Sequence, residues 1–361
     1  MKIFFARPTS LDIIGLTDSI YYPVCMARLG HDVSMLILDS KNPALRNNGV
    51  KYIFARNRLE WYRLLNQKVR EIKPDIVHIY LHLGCGLYPF MFSDLSPRPR
   101  FVLDIRSPLL STGLRRILTQ AKNRLEILSY DGITAHGIES AWTVIGKRPN
   151  IHWSPPGVFL EEFPEKKHDP ADFMNSSPVK MVYIGALNKS RKLEFLLQAV
   201  ALASAKVSVT LDLYGAGDDD EALKKLTWEL QLEKIVKFKG SLPRQQLFQE
   251  MLNYDIGLSY VPASILYDKA PPLKTLEYLA LGLAVVATDT VGTRMIIEDG
   301  VNGLLAKELP SDYAAAIVHM VTNPALAYSM SIHARKSVAS FDWLTVAKER
   351  LIPFYQSVLL G

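Results

Sequence analysis

The feature that most constrains this chain is a rhythm that starts twice: short apolar runs alternate with amphipathic stretches of helical period. In the first half, strands are expected at Lys2–Ala6, Asp32–Leu38, Asp75–Tyr80, Phe101–Ile105, Gly132–Ala135 and Ile151–Ser154. Helices are expected near 18–29, 57–72, 113–128 and 138–146. The pattern then begins afresh, with strands at Val179–Ile184, Ser208–Tyr214, Val236–Lys239, Ile256–Ser259, Ala284–Ala287 and Gly303–Leu305. Its helices fall near 191–205, 219–232, 244–253, 273–281 and 311–323. Apolar strands separated by helical crossovers pair in parallel and are covered on both faces. Between the halves, Pro155-Pro156-Gly157 and a polar stretch holding Pro164, Pro170 and Pro178 have the composition of a linker. The expected fold is therefore α/β, two doubly wound domains joined near 155–178. At 361 residues, each domain can bury its own core.

Composition narrows the class. With 48% hydrophobic and 22% charged residues, the chain reads as globular rather than disordered. No run reaches the ~20 apolar residues a membrane-spanning helix needs. The opening Met1–Arg7 lacks the length and cleavage site of a signal peptide, so a cytoplasmic location is expected. Cys25 and Cys85 have no metal-type spacing and are expected to be reduced and buried. Charge is uneven. Residues 1–150 carry 21 Lys and Arg against 12 Asp and Glu, whereas residues 151–361 carry 21 against 24. A balance of +9 in the first half suits an anionic partner (a lipid headgroup, a phosphorylated acceptor or nucleic acid) or simply a solvated basic surface. No nucleic-acid motif or aromatic interleaving accompanies it, so no nucleic-acid partner is expected.

The densest chemistry lies in Ala270-Pro-Pro-Leu-Lys-Thr-Leu-Glu-Tyr-Leu-Ala-Leu-Gly-Leu-Ala-Val-Val-Ala-Thr-Asp289. Pro271 and Pro272 suit a helix start, where a missing N–H costs little. The free amides near Leu273 and Lys274 form the positive end of a helix dipole, which binds phosphate without a side chain. Lys274 adds a mobile positive charge, and Glu277 stands where a carboxylate can accept both hydroxyls of a ribose. An ordinary amphipathic helix is the alternative.

This stretch resembles the donor-site motif of the retaining enzymes of glycosyltransferase family 4, in the variant Ser-Pro-x-Lys-x-x-Glu-Tyr-Met-Ala-x-Gly-x-Pro-Val-Val. The matches are Pro272, Lys274, Glu277, Tyr278, Ala280, Gly282, Val285 and Val286. The likeness continues through Glu298-Asp-Gly-Val-Asn-Gly-Leu304, and Tyr183-Ile-Gly-Ala-Leu-Asn-Lys-Ser-Arg191 resembles the loop that opens the family's second domain. In that comparison Gly185 lets the backbone approach the nucleotide, and a basic residue, aligned best with Arg191 and with Lys189 and Lys192 as near alternatives, neutralises the diphosphate. Leu211-Asp-Leu-Tyr-Gly-Ala-Gly217, containing Gly215, and Phe238-Lys-Gly-Ser-Leu242 resemble the family's Gly-x-Gly strand end and base-contacting loop.

The resemblance implies a GT-B fold of two Rossmann-like domains facing a cleft. The acceptor-side domain would cover 1–160, with a helix near 342–361 crossing back to it, and the donor domain 161–341. It further implies retaining, metal-independent transfer of a sugar from a UDP- or GDP-linked nucleotide donor to a glycan or lipid-linked acceptor, with no separate cofactor. Three positions depart from the family. Lys269 replaces a first glutamate, with Asp268 as the neighbouring substitute; Ala186 replaces an Arg; and Arg106, in Asp104-Ile-Arg-Ser107, falls near the usual His. Asp104, Arg106 and His136 are the catalytic candidates, the first two otherwise forming a structural ion pair. Gly15, after the first strand, offers a phosphate or sugar close backbone access. The same departures suit a nucleotide-binding partner without turnover, and a GT-B epimerase is a further reading.

One helix stands apart. In Gly113–Leu128, Leu114, Ile117, Leu118, Ala121, Leu125 and Leu128 share a face flanked by Arg115, Arg116, Lys122 and Arg124. The favoured expectation is a core-facing helix with a solvated basic edge; the alternative is peripheral contact with an anionic membrane.

Overall fold

The computed structural model describes residues 1–11, 17–42, 45, 47–106, 109, 113–164, 177–264 and 267–361. Gly15 therefore lies outside the described residues. The chain divides into two compact units, Met1–Gly157 with Trp343–Gly361, and Val158–Asp342.

The first unit is built on a seven-stranded sheet ordered β3-β2-β1-β4-β5-β6-β7. Its strands are β1 Lys2–Ala6, β2 Asp32–Leu38, β3 Lys51–Ala55, β4 Ile76–Tyr80, β5 Arg100–Ile105, β6 Gly132–Ala135 and β7 Ile151–Trp153. Every pairing is parallel. The helices are α1 Thr17–Arg28, α2 Arg58–Ile72, the short α3 Tyr88–Met91, α4 Gly113–Glu126 and α5 Ile138–Ile145. α2 starts where Asn57 accepts the Glu60 amide at 2.9 Å while Glu60 reaches back to the Arg56 amide at 2.8 Å, and it buries Trp61, Leu65 and Val69 along one stripe. β3 is not expected from the sequence. It is an edge strand with only Ala55 fully buried, so it lacks the apolar run that betrays β4, whose five residues are all buried.

α4 reverses its expected orientation. Leu114, Ile117, Leu118, Leu125 and Leu128 are all 61–71% exposed, and Asn123 is the helix's one buried residue.

The second unit holds a six-stranded parallel sheet ordered β10-β9-β8-β11-β12-β13. The strands are β8 Val179–Ile184, β9 Val209–Tyr214, β10 Val236–Gly240, β11 Ile256–Ser259, β12 Ala284–Thr288 and β13 Leu304–Ala306. α6 Glu194–Ser204, α7 Asp220–Glu229, α8 Arg244–Met251, α9 Leu273–Ala280, α10 Pro310–Thr322 and α11 Pro324–Ser337 surround it. α11 is the helix the sequence rhythm omits. The core joins Met181, Leu197, Val200, Leu211, Leu213, Leu258, Val286, Ile317 and Met320.

The C-terminal segment packs within the first unit as α12 Trp343–Val346, a π-helical turn and α13 Ile352–Leu360. Trp343 stands edge-on to Tyr22 at 4.9 Å, and the Tyr355 hydroxyl meets His78 Nδ1 at 2.7 Å.

Three aspartates register these sheets in the same way. Asp75, Asp131 and Asp255 each precede a strand. Each backbone amide donates to a carbonyl of the neighbouring strand (Lys2, Phe101 and Lys180), and each carboxylate accepts that same residue's amide at 2.7, 2.8 and 2.9 Å. A carboxylate–amide bond of this kind is worth about 1.5–3 kcal/mol. Asp255→Ala should therefore lower the stability of the second unit by about that amount. Urea unfolding followed by far-UV circular dichroism checks this.

Candidate functional site

Where the strand order of a doubly wound sheet reverses, the chain leaves adjacent strands toward opposite faces and a crevice opens at their C-terminal ends. In the second unit that point lies between β8 and β11, and the residues of the expected donor motif gather there.

From β8 the chain passes through Gly185, at φ +147°, into a short 3-10 turn, Lys189–Arg191. From β11 it passes through Tyr260 to α9, whose first residues are Leu273 and Lys274 and whose N-cap, Pro272, makes no side-chain cap. The opening amides of α9 thus remain available at the positive end of the helix. Below them, the Thr275 and Ser259 hydroxyls bond at 2.6 Å and tie α9 to the end of β11.

Lys274 is not the mobile charge expected. Its ammonium lies 3.8 Å from the centre of the Tyr183 ring and donates to the Tyr260 carbonyl at 3.3 Å. Burial, then the nearby Arg191 charge, depress its pKa well below the ordinary lysine value. A side chain at Gly185 would have its Cβ 3.2 Å from this ammonium, so glycine keeps the space over it open. The Arg191 guanidinium stacks 4.3 Å over Tyr267, whose hydroxyl is bonded to Ser190 at 3.1 Å. Neither cation has a carboxylate in direct contact among the described residues. Lys192, adjacent to Arg191, is exposed and caps the turn in a left-handed conformation at φ +48°.

Glu277 lies one turn beyond Lys274. One carboxylate oxygen accepts from Arg244 Nη1 at 2.8 Å; burial raises its pKa, and the arginine opposes that shift. Arg244 is itself held over the Phe248 ring at 4.6 Å. Asp268 faces the backbone: it accepts the Val291 amide at 3.3 Å, and its carbonyl accepts that of Gly292 at 2.7 Å. Leu242 is half-buried in the loop between β10 and α8.

Gly215 has a steric reason unrelated to a ligand. A Cβ there would lie 1.8 Å from the Gly185 carbonyl oxygen, and one at Gly217 would lie 2.2 Å from that of Leu187. The Gly-x-Gly of this chain is where one loop backbone crosses another.

The catalytic candidates of the first unit form an internal network. Asp104 Oδ2 accepts from Arg106 Nε at 2.6 Å and lies 3.2 Å from His78 Nε2, while Oδ1 accepts the Thr134 hydroxyl at 2.7 Å. Burial alone would raise the Asp104 pKa, but Arg106, His78 and Thr134 together hold it well below the usual range. Arg106 also donates to the Ser154 carbonyl at 3.1 Å and lies 4.6 Å over the Tyr22 ring. It ties the end of β5 to that of β7, the structural ion pair of the alternative reading. Beside it, burial and the Arg106 charge push the His136 pKa down to about 3, so this imidazole is neutral at pH 7 and is not a proton donor there.

Sequence reasoning missed Tyr183, Tyr267 and Arg244, each of which touches a recognised charge across the fold. It also missed a cavity of about 220 Å³ at the ends of β1 and β4, lined by Arg7, Arg58, Tyr62, Tyr80 and His82. Arg7 lies 4.9 Å over Tyr80 and donates to the hydroxyls of Thr9 and Ser19.

Comparison with known proteins finds likenesses to glycosyltransferases. Residues 178–323 match the sequence profile described as glycosyl transferases group 1. The D-inositol 3-phosphate glycosyltransferase of Corynebacterium jeikeium is 30% identical over 185 residues, 49% of this chain and 43% of that protein. An uncharacterised glycosyltransferase of Haemophilus influenzae is 24% identical over 328 residues, 86% of this chain and 87% of that one. The chain spans less than half the length of the first two curated relatives it matches. The solved structure of Anabaena HepE in complex with UDP has a TM-score of 0.77 at 18% identity, covering 99% of this chain and 100% of that one. Sucrose-phosphate synthase of Thermosynechococcus elongatus has a TM-score of 0.76 at 17% identity, covering 100% and 99%. At such identities the likeness establishes the fold, which is GT-B, an α/β chain of two Rossmann-like domains.

The neutral, half-buried His136 makes the first unit acid-sensitive. Its folded pKa lies below the unfolded value of about 6.5, so only the unfolded chain takes up the proton as pH falls between them. Stability is then lost with falling pH, by about 2 kcal/mol between pH 6.5 and 5. Asp104 adds its own loss only below the ordinary aspartate range, near pH 4. His136→Gln should flatten the upper part of this profile, measured as urea midpoints at half-unit pH steps.

Proposed function

We propose that this protein is a retaining glycosyltransferase that moves a sugar from a nucleoside diphosphate sugar to a hydroxyl of a glycan, glycolipid or small-molecule acceptor, without a divalent metal. The observation that carries the reading is the pairing of Arg191 and Lys274 around the open amides of α9, at the crevice where the second sheet reverses. Two fixed cations and a helix N-terminus suit a diphosphate, and Glu277 one turn on suits a ribose. UDP is the favoured nucleotide, because HepE, whose fold this chain shares, was solved with UDP and with UDP-glucose.

In the proposed step the bond between the sugar's anomeric carbon and the diphosphate oxygen breaks, and its electron pair leaves with the diphosphate. Arg191, Lys274 and the α9 amides stabilise that developing charge. The acceptor hydroxyl attacks from the same face and passes its proton to the departing oxygen. No covalent enzyme intermediate forms.

A second reading, nucleotide binding without turnover, is favoured by the fact that Arg106 and Asp104 are spent on an internal network. Release of nucleoside diphosphate from UDP-glucose or GDP-mannose in the presence of candidate acceptors separates the two.

Calorimetric titration with UDP, GDP and ADP in EDTA tests the site itself. One of them should bind, and Lys274→Ala and Glu277→Ala should each weaken it by roughly tenfold or more. Absence of binding by all three would sink the donor site. At a pH between the Lys274 pKa of the free protein and that of the complex, binding should also take up a proton. The diphosphate's charge restores the ammonium form of Lys274, which burial and Arg191 disfavour in the free protein. The observed enthalpy should differ between buffers of unlike ionisation enthalpy, affinity should fall as pH rises through that window, and Lys274→Met should abolish both effects.

A further inference from the structure

α4 is built inside out. Its polar side chains face the protein and bond the last carbonyls of α5: Gln120 those of Trp142 and Thr143 at 3.1 and 2.9 Å, Asn123 that of Val144 at 3.3 Å, and Arg124 that of Ile145 at 2.9 Å. These bonds satisfy the orphan acceptors that end α5. They also fix the rotation of α4, so that Leu114, Ile117, Leu118 and Leu125 are held outward, joined by Leu128 just past the helix end.

Isolated exposed leucines need no explanation, but an aligned row does. The row continues onto a neighbouring segment. Gly86 packs against the backbone of Glu126, where an added Cβ would be 2.8 Å from its Cα. The side chains that follow, Leu87 and Phe90, are 66% and 67% exposed.

Charge selects the occupant. Arg115 and Lys122 are exposed beside the apolar row, and Lys147 and Arg148 are exposed just past α5. The one carboxylate of α4, Glu126, points away and accepts the amides of Gly84 and Gly86 at 2.7 and 2.6 Å. The outward face of α4 therefore offers apolar and cationic groups and no acidic one. A second copy of the same face would bring like charges together, whereas an anionic bilayer matches both parts, with acyl chains for the leucines and phosphate headgroups for the cations. No helix among the described residues is long and apolar enough to cross a membrane.

We propose that the outward face of α4, continued by Leu87 and Phe90, docks the first unit on an anionic lipid surface. Leucines sink to the headgroup boundary, and the basic residues beside them contact lipid phosphates. This goes beyond the donor-site reading and does not depend on it.

Vesicle flotation of the full chain tests it. Vesicles with about 30% phosphatidylglycerol should capture roughly tenfold or more protein than pure phosphatidylcholine, and salt should weaken capture. Ile117→Ser with Leu118→Ser should abolish capture by both, while Arg115→Glu with Lys122→Glu should remove the preference for anionic lipid. All four positions lie on the outer face, so urea midpoints should be unchanged, and the calorimetric nucleotide titration should be unaffected. Equal capture by the two vesicle types, or none, would overturn the proposal. So would lipid-free, concentration-dependent self-association abolished by the same serine pair, since the patch would then be a contact between copies.

Discussion

The strands of both sheets run parallel, so no two neighbours can be joined by a tight turn, and each connection must cross a face of the sheet. Winding outward from β1 and from β8 then forces one place in each unit where consecutive loops diverge. The positions of Lys274, Arg191 and the α9 amides all follow from that divergence. So does the cavity between Arg7 and His82 at the equivalent place in the first unit. Helices and glycines adapt to it. Asp75, Asp131 and Asp255 keep the strand ends in register so that the loops depart from fixed points.

Within the second unit, two charges are held in opposite ways. Glu277 is half-buried with a direct partner, Arg244, and their attraction offsets part of the cost of leaving water. Lys274 is half-buried and touches a ring and a carbonyl, with the Glu277 charge one turn away opposing only part of the effect of its surroundings. An ammonium shielded from water with no carboxylate in contact is costly, and an anion placed beside it recovers part of that energy. The difference between these neighbours is the electrostatic asymmetry on which the proposed donor site rests.

The strand–helix rhythm was legible because buried parallel strands are apolar on both faces, as in β4 and β12. The half-exposed edge strand β3 carries no such mark and escaped notice. Recognition of α9 as a helix start came from Pro271 and Pro272, whereas the ring beneath Lys274 is 91 positions away in sequence and no local pattern joins them. Arg244 on Glu277 and Tyr267 under Arg191 were hidden for the same reason. α4 shows a different limit. Helical periodicity reveals that one face is apolar but not which way it is turned, and here the bonds from Gln120, Asn123 and Arg124 to α5 decided it. Asp104 and Arg106 suit a catalytic pair or an ion pair, and their partners Thr134, Ser154 and Tyr22 lie too far off in sequence for any local pattern to name them.

The crossing of loops at Gly215 and Gly217 bears on how such chains can be diversified. Residue 216, between the two glycines, can be randomised in a library without touching the crossing, but any Cβ at 215 or 217 would force the 185–188 loop to move. That loop leads directly into the turn bearing Arg191. Variants at the two glycines would therefore be scored as ligand-binding defects even where the loss comes from the displaced loop. A mutational map that ranks positions by lost activity would mistake a spacer for a contact.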